Sequence, residues 1–183
     1  METFAVTPVE RLLEIYDIIA PTQWPAQAAT VVPDLIARLG WTMTGDPSID
    51  VDVETNLPVN FRIALVQVPK GQLTEISFGV TDMVSEGADT APVDVAYKSL
   101  LKSLRQVFGP SAGRRDSQWW DLPTGGRLHL DRLSRSVDMQ FMSRWLAYAE
   151  RAEARFGGSS HLRWGFSGSK CLKAPAARSI RSR

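Results

Sequence analysis

The feature that most constrains this chain is an order of strand, strand, strand, helix that occurs twice. In the second copy, three short strand segments, the last of them with alternate apolar residues, precede an amphipathic stretch with Trp145 and Phe156 on one side. The strands of that copy are Gln118–Leu122, Arg127–Asp131 and Ser136–Phe141. The first copy has strands at Ile49–Glu54, Arg62–Val68 and Leu73–Val80 and a helix at Ala91–Phe108. The pattern predicts an α+β fold, with an antiparallel sheet built from two βββα units and helices packed on one face.

A helical segment is predicted before the first strand. Apolar residues recur at helical spacing over Val9–Ala20, and Pro21 is expected to end this helix. A second, short helix is expected at Pro33–Leu39, with Gly40 as its stop. The N-terminal segment therefore adds two helices to the repeated units.

The domain boundaries follow from this order of elements. We predict one α+β domain over residues 1–166, in which residues 41–109 and 114–157 form a pseudo-repeat. Residues 167–183 are rich in Ser, Ala and Arg and contain five basic residues and no acid, so they are predicted to be a disordered basic tail.

Charge and cysteine usage narrow the class of protein. The net charge is +1, but without the basic tail residues 1–166 carry −4, which argues against a nucleic-acid binder. A single cysteine, Cys171, excludes an internal disulfide framework and fits a reducing compartment. The N-terminus lacks the basic residues of a secretory signal, and no apolar run approaches the roughly 20 residues that span a bilayer. We expect a soluble, cytoplasmic protein without membrane contact.

The residues that usually carry chemistry are sparse. The two histidines, His129 and His161, lie at no metal-binding spacing, and Cys171 falls in the tail. The glycine pairs at 125–126 and 157–158 fit a hairpin turn and a helix stop better than a phosphate loop. The sequence predicts no catalytic residue, no metal site and no cofactor.

Acidic and aromatic residues are the remaining candidates for function. Asp50, Asp52 and Glu54 alternate with apolar residues, so their carboxylates should share one strand face. This face is either solvated or an acidic contact site for a partner. Trp119 and Trp120 are adjacent and must face opposite sides of their strand, so one lies on the second face, under a helix or exposed as an interface anchor. The candidate partner-binding residues are Asp50, Asp52, Glu54, Asp82, Glu86, Asp89 and Trp120.

Three motifs carry a resemblance to a known family. They are Leu39-Gly40-Trp41, Thr55-Asn56-Leu57-Pro58, and the run from Trp120 to Leu128 that contains Pro123-Thr124-Gly125-Gly126. With them the chain resembles, over residues 24–166, a family of small, uncharacterised actinobacterial proteins. That family includes suspected immunity factors for secreted polymorphic toxins and is similar to the immunity factor for tuberculosis necrotizing toxin, an NAD-hydrolysing enzyme.

The resemblance implies a non-catalytic antitoxin that binds and blocks a cognate toxin. Its motifs are structural, so they assign no functional residue in this chain. The alternative is a secretion chaperone for an effector, because the element order is also similar to that of small α+β chaperones. The two classes differ in what they should present. A chaperone should dimerise and offer an apolar groove, whereas an immunity protein should offer a mixed polar surface to a folded toxin.

Overall fold

The computed structural model describes residues 3–146 of the chain. Three helices, a 3-10 turn at Pro69–Gly71 and ten strands account for its regular structure. The helices are α1 (Val9–Ile19), α2 (Ala28–Leu39) and α3 (Ala91–Phe108). The strands are β1 (Ala26–Gln27), β2 (Thr42–Met43), β3 (Val51–Glu54), β4 (Ile63–Gln67), β5 (Gln72–Leu73), β6 (Glu75–Gly79), β7 (Ala112–Arg114), β8 (Ser117–Asp121), β9 (Gly126–Arg132) and β10 (Val137–Ser143). Residues 144–146 are helical.

Within these residues, eight strands form one antiparallel sheet in the order β2-β3-β4-β6-β10-β9-β8-β7. The last strands of the two halves, β6 and β10, pair at its centre, with Phe78 opposite Met139 and Ile76 opposite Phe141. The other two strands, β1 and β5, form a separate small sheet. The predicted α+β fold with an antiparallel sheet and helices packed on it is confirmed.

The details of the strands differ from the prediction. Each half contributes four strands to the main sheet, because the short strands β2 and β7 pair with β3 and β8. The predicted strand Leu73–Val80 is divided at Thr74, whose N–H donates to the Gln67 carbonyl at 3.0 Å. The strand predicted from Ile49 begins at Val51, and Ile49 is 60% exposed, so its assignment to a buried face is wrong.

One face of the sheet carries the hydrophobic core. Residues in register across six strands point to it, including Val53, Ala64, Phe78, Met139 and Leu130. The apolar sides of α1, α2 and α3 belong to the same buried cluster. A chain of aromatic contacts joins helices to sheet: Tyr16 on α1 lies 4.5 Å from Phe108 and 6.4 Å from Phe141, between ring centroids. Within residues 3–146, helices α1, α2 and α3 therefore all pack on this face.

Helix α2 begins at Ala28, five residues before the predicted start at Pro33. Its buried residues fall at helical spacing from Ala28 through Val32, Leu35 and Leu39, so the apolar stripe decides the start and overrides the proline. Proline inside a helix removes the hydrogen bond to the carbonyl four residues earlier. Here Pro33 and Ala29 are both exposed, so water can bind the carbonyl that proline leaves unbonded.

The connection from α1 to α2 is held on the β8–β9 hairpin by Trp24. A Cβ at Gly126 would lie 2.7 Å from Trp24 Cδ1, closer than real contacts allow. We expect Gly126→Ala to lower the free energy of unfolding by about 1–3 kcal/mol, because a crowded interior must shift to admit the methyl group. Urea denaturation measures this change. Gly79→Ala is the matched control, because its nearest contact would be an ordinary 3.8 Å. Equal stability of the two variants would contradict this packing.

Some predictions lie outside the described residues. These are the C-terminal part of the helix expected through Phe156, the end of the pseudo-repeat at residue 157, the domain end at residue 166 and the tail 167–183.

Candidate functional site

The face of the sheet opposite the core is strongly acidic. Its side chains alternate with the core residues, and none of the helices α1, α2 and α3 packs on it. We call this surface the acidic face, because six of its eight strands (β3, β4, β6, β10, β9 and β8) together carry six carboxylates and one guanidinium on it, to which the edge strand β7 adds Arg114. The carboxylates are Asp52, Glu54, Glu75, Asp121, Asp131 and Asp138, and the guanidinium is that of Arg127.

The carboxylates of the acidic face differ in exposure. Asp52, Glu54 and Asp121 are exposed at its two ends, on β3 and β8. Glu75 and Asp138, near the centre, are 7% and 8% exposed. A partner protein can therefore reach Asp52 and Glu54 directly, whereas the Asp121 carboxylate is paired with Arg127 at 2.6 Å and lies 3.9 Å from the Arg144 guanidinium.

The structure separates the three carboxylates predicted on the first strand. Asp52 and Glu54 are exposed and share the acidic face. Asp50 precedes the strand, and its carboxylate accepts a hydrogen bond from the Val68 N–H at 2.6 Å. The prediction that all three carboxylates share one strand face is therefore wrong for Asp50, whose side chain joins the start of β3 to the end of β4.

The three loop carboxylates have different roles. Asp82 accepts hydrogen bonds from the Ala5 and Asn60 N–H groups, both at 2.7 Å, so both of its oxygens hold backbone together. Asp89 accepts one from Ala91 N–H at 2.9 Å, where α3 begins. Glu86 is exposed. Of the predicted loop contacts, Glu86 is therefore the one whose carboxylate accepts no hydrogen bond within residues 3–146.

Trp120 is a core residue, which corrects its assignment as a partner contact. It is 7% exposed, and its indole N–H donates to the Gly109 carbonyl at 3.0 Å, at the end of α3. Trp119 is the member of the pair that lies on the acidic face. The sequence contained a signal for this, because alternate residues of a strand point to the same face. Trp119 alternates with the polar residues Ser117 and Asp121, whereas Trp120 alternates with the apolar Leu122.

Trp119 belongs to a mixed aromatic and charged cluster at the β8 end of the acidic face. Its ring stacks on His129 with centroids 5.8 Å apart, and the Arg127 guanidinium carbon lies 5.8 Å from the Trp119 centroid. Arg127 Nε also donates to Asp121 Oδ1 at 2.6 Å. Rings held by stacking and cation–π contacts lose little side-chain entropy on binding, which suits a contact surface.

A cleft of about 100 Å³ opens at the end of the central strand pair. We call it the Asp138 cleft, because that carboxylate lies among its lining residues together with Ser136 and Gly79. Burial raises the pKa of Asp138, and a hydrogen bond from Ser136 Oγ at 2.9 Å only partly offsets this. Sequence patterns could not find this site, because its walls come from loops distant along the chain.

The raised pKa of Asp138 has a consequence for stability. Below the unfolded-state pKa the carboxyl is protonated in both states, and above the raised folded-state pKa the charged form destabilises the fold. We therefore expect Asp138→Asn, which keeps an oxygen for Ser136, to raise the free energy of unfolding at pH 7. The gain should shrink as the pH falls below the raised folded-state pKa and disappear below the unfolded-state pKa.

Urea denaturation at several pH values measures this effect. Asp52→Asn is the matched control, since it removes the same charge at an exposed position and should change stability by no more than about 0.5 kcal/mol. A variant at position 138 that is less stable than the wild type at pH 7 would contradict the expectation. Two charged groups lie near Asp138. Asp131 is its partner in the β9–β10 register, and Arg135, in the β9–β10 turn, lines the same cleft.

Within residues 3–146, no three His, Cys, Asp or Glu side chains lie close enough together to hold a metal ion. Over the same residues, no helix has the length and apolar character needed to cross a membrane.

Over residues 3–146, fold and site together define an α+β protein in which helices α1, α2 and α3 pack on one face of an antiparallel sheet and the opposite face is acidic. The chain matches the model of the Family of unknown function (DUF6301) over residues 10–143. It therefore belongs to that family. No curated protein and no solved structure matches it.

Proposed function

We propose that this protein is a non-catalytic, cytoplasmic immunity protein that binds a toxin protein and blocks its active site. The observation that carries the proposal is the acidic face, where Asp52 and Glu54 are exposed on β3 and Asp121, paired with Arg127 and Arg144, is exposed on β8. The family resemblance of the sequence makes an NAD-hydrolysing toxin the first partner to test.

Charge complementarity is the physical basis of the proposal. Enzymes that act on NAD or nucleic acid bind phosphates, so their active-site clefts are commonly basic. A surface with carboxylates at both ends and Trp119 beside one of them can occupy such a cleft in place of the substrate. Opposite charges also speed the encounter of the two proteins.

The experiment tests whether this protein rescues cells from the product of a neighbouring gene that is toxic when it is expressed alone. Co-expression of this protein is expected to restore growth, and the two purified proteins are expected to form a stable complex. A toxin whose active site has been inactivated by mutation should bind equally well, because binding requires no turnover. If growth is not restored although both proteins are produced, the immunity function is wrong.

A secretion chaperone is the second candidate, and a different surface favours it. An open groove of about 640 Å³ runs between the end of α1 and α2, with Ile18, Pro25, Val31 and Leu35 among its lining residues. An extended segment of an effector could lie there. This function predicts a dimer in sedimentation experiments and binding of an unfolded client segment, whereas the immunity function predicts binding of a folded toxin.

A further inference from the structure

The Asp138 cleft combines a buried charge with apolar walls. Phe61, Ile63, Met83 and Leu133 are among its lining residues, and they come from the segment before β4, the first residue of β4, the loop after β6 and the β9–β10 turn. Its volume of about 100 Å³ is somewhat smaller than the roughly 150 Å³ of a cavity that accepts benzene. The cleft therefore has room for a group of a few heavy atoms.

The Asp138 carboxylate is only partly satisfied. The side chain is 8% exposed, and one of its oxygens, Oδ1, accepts the hydrogen bond from Ser136. No ion pair is formed by Asp138 with a cation of residues 3–146. A buried carboxylate usually has a positive partner or several donors, because its desolvation is otherwise uncompensated. This carboxylate has capacity for another donor.

Gly79 keeps the space beside the carboxylate open. It lies directly opposite Asp138 in the β6–β10 register. A Cβ at this position would come within 3.9 Å of both Asp138 Oδ1 and the Phe61 carbonyl oxygen, an ordinary contact distance. A larger side chain at residue 79 would therefore fill the cleft while the Asp138 charge remains.

We propose that the Asp138 cleft receives one arginine or lysine side chain of the partner protein, with the Asp138 carboxylate as its counter-ion. The proposal rests on the proposed function, since the occupant belongs to the toxin. Arginine and lysine match the cleft because their methylene groups can lie against apolar walls while the charged end reaches a carboxylate. A basic active-site cleft, the expected target of the acidic face, supplies such residues.

Arg135 is the one cation among the described lining residues, and its position is compatible with a cationic occupant. Its Nε donates to the Val84 carbonyl at 2.6 Å, which holds the side chain on the loop after β6. It forms no ion pair with Asp138 within 4 Å. The Asp138 charge is therefore available to a donor that enters from outside.

The test uses small analogues of the two side chains and the full ¹⁵N-labelled chain. n-Butylguanidinium and n-butylammonium are titrated into the protein. n-Butanol, which has the same butyl chain and no charge, is the control. Saturable shifts are expected at the amides of Gly79, Ser136 and Asp138 for the two cations. Asp138→Asn is expected to weaken binding roughly tenfold or more, because a charge-assisted hydrogen bond is lost.

Two further variants separate shape from charge. Gly79→Val should abolish binding by filling the cleft, with Gly79→Ala as the milder substitution if the first does not fold. Glu10→Gln removes a charge from an exposed position of α1, on the other side of the sheet, and should leave the affinity within about twofold, as expected for a distant exposed group. Asp138→Asn is expected to fold at least as stably as the wild type, so its loss of binding cannot reflect unfolding.

The outcomes distinguish the cleft from the function. No saturable shift, equal binding of n-butanol, or unchanged affinity in Asp138→Asn would overturn the cleft proposal, even if the protein rescues cells. Binding of the cations in the expected pattern, together with failure of the rescue experiment, would support the chemistry of the cleft and overturn the immunity function. Success of both experiments supports an arginine or lysine of the toxin as the occupant.

Discussion

Replacing Phe141 by alanine is expected to lower the free energy of unfolding by about 3–5 kcal/mol, as for other large-to-small changes at fully buried aromatic residues. Phe141 is 0% exposed in the central strand β10. Its ring centroid lies 6.5 Å from that of Phe78 and 6.4 Å from that of Tyr16, so it touches both halves of the sheet and α1. The cavity left by alanine would remove contacts from all three elements at once.

Urea denaturation followed by circular dichroism measures this loss. Val95→Ala is the control, because Val95 is 68% exposed on α3 and its truncation should change stability by about 0.5 kcal/mol or less. A loss below about 1 kcal/mol in Phe141→Ala would mean that the ring is not at the centre of the core. The β6–β10 register would then have to be revised.

Reversing the charges of Asp52 and Glu54 together, by Asp52→Lys and Glu54→Lys, is expected to slow association with the toxin by about tenfold or more. Both carboxylates are exposed on β3, and neither accepts a hydrogen bond from the side chains or loops of residues 3–146. Their reversal should therefore leave the fold intact. The effect should shrink at high salt, because screening shortens the range of the attraction to about 3 Å at 1 M.

Stopped-flow association rates at several salt concentrations measure this effect. The matched control is Glu10→Lys with Asp17→Lys, which makes the same change of charge on exposed positions of α1, across the sheet from the acidic face. Equal slowing by both pairs would indicate only a general effect of net charge. Unchanged association in the β3 pair would remove this end of the acidic face from the interface.

The fold class was predictable because each half of the chain repeats a clear periodicity. The stripes of α1 and α3, the alternation in β9 and β10 and the apolar run of β4 appear directly in the sequence. The short strands β2 and β7 were not predictable, since two or three residues carry too little periodicity. The same limit applies to Ile49, where alternation continues beyond the end of the strand.

The site was less predictable than the fold. Alternation placed Asp52 and Glu54 on one face but could not show that Asp50 binds the Val68 N–H, because that contact depends on how two strands meet. The alternation of residues along β8 could have placed Trp119 on the polar face. It could not have revealed the Asp138 cleft, since Phe61, Met83 and Leu133 are brought together only by the tertiary structure.

The two outermost strands of the main sheet, β2 and β7, are only two and three residues long. A protein that adds a strand to a sheet needs a longer row of free backbone groups at the sheet edge. This molecule therefore offers little template for strand addition, whether by a partner or by another copy of itself. Selectivity for a partner must then reside in the identity of side chains, so binding could diverge by substitution while the backbone pairing stays the same.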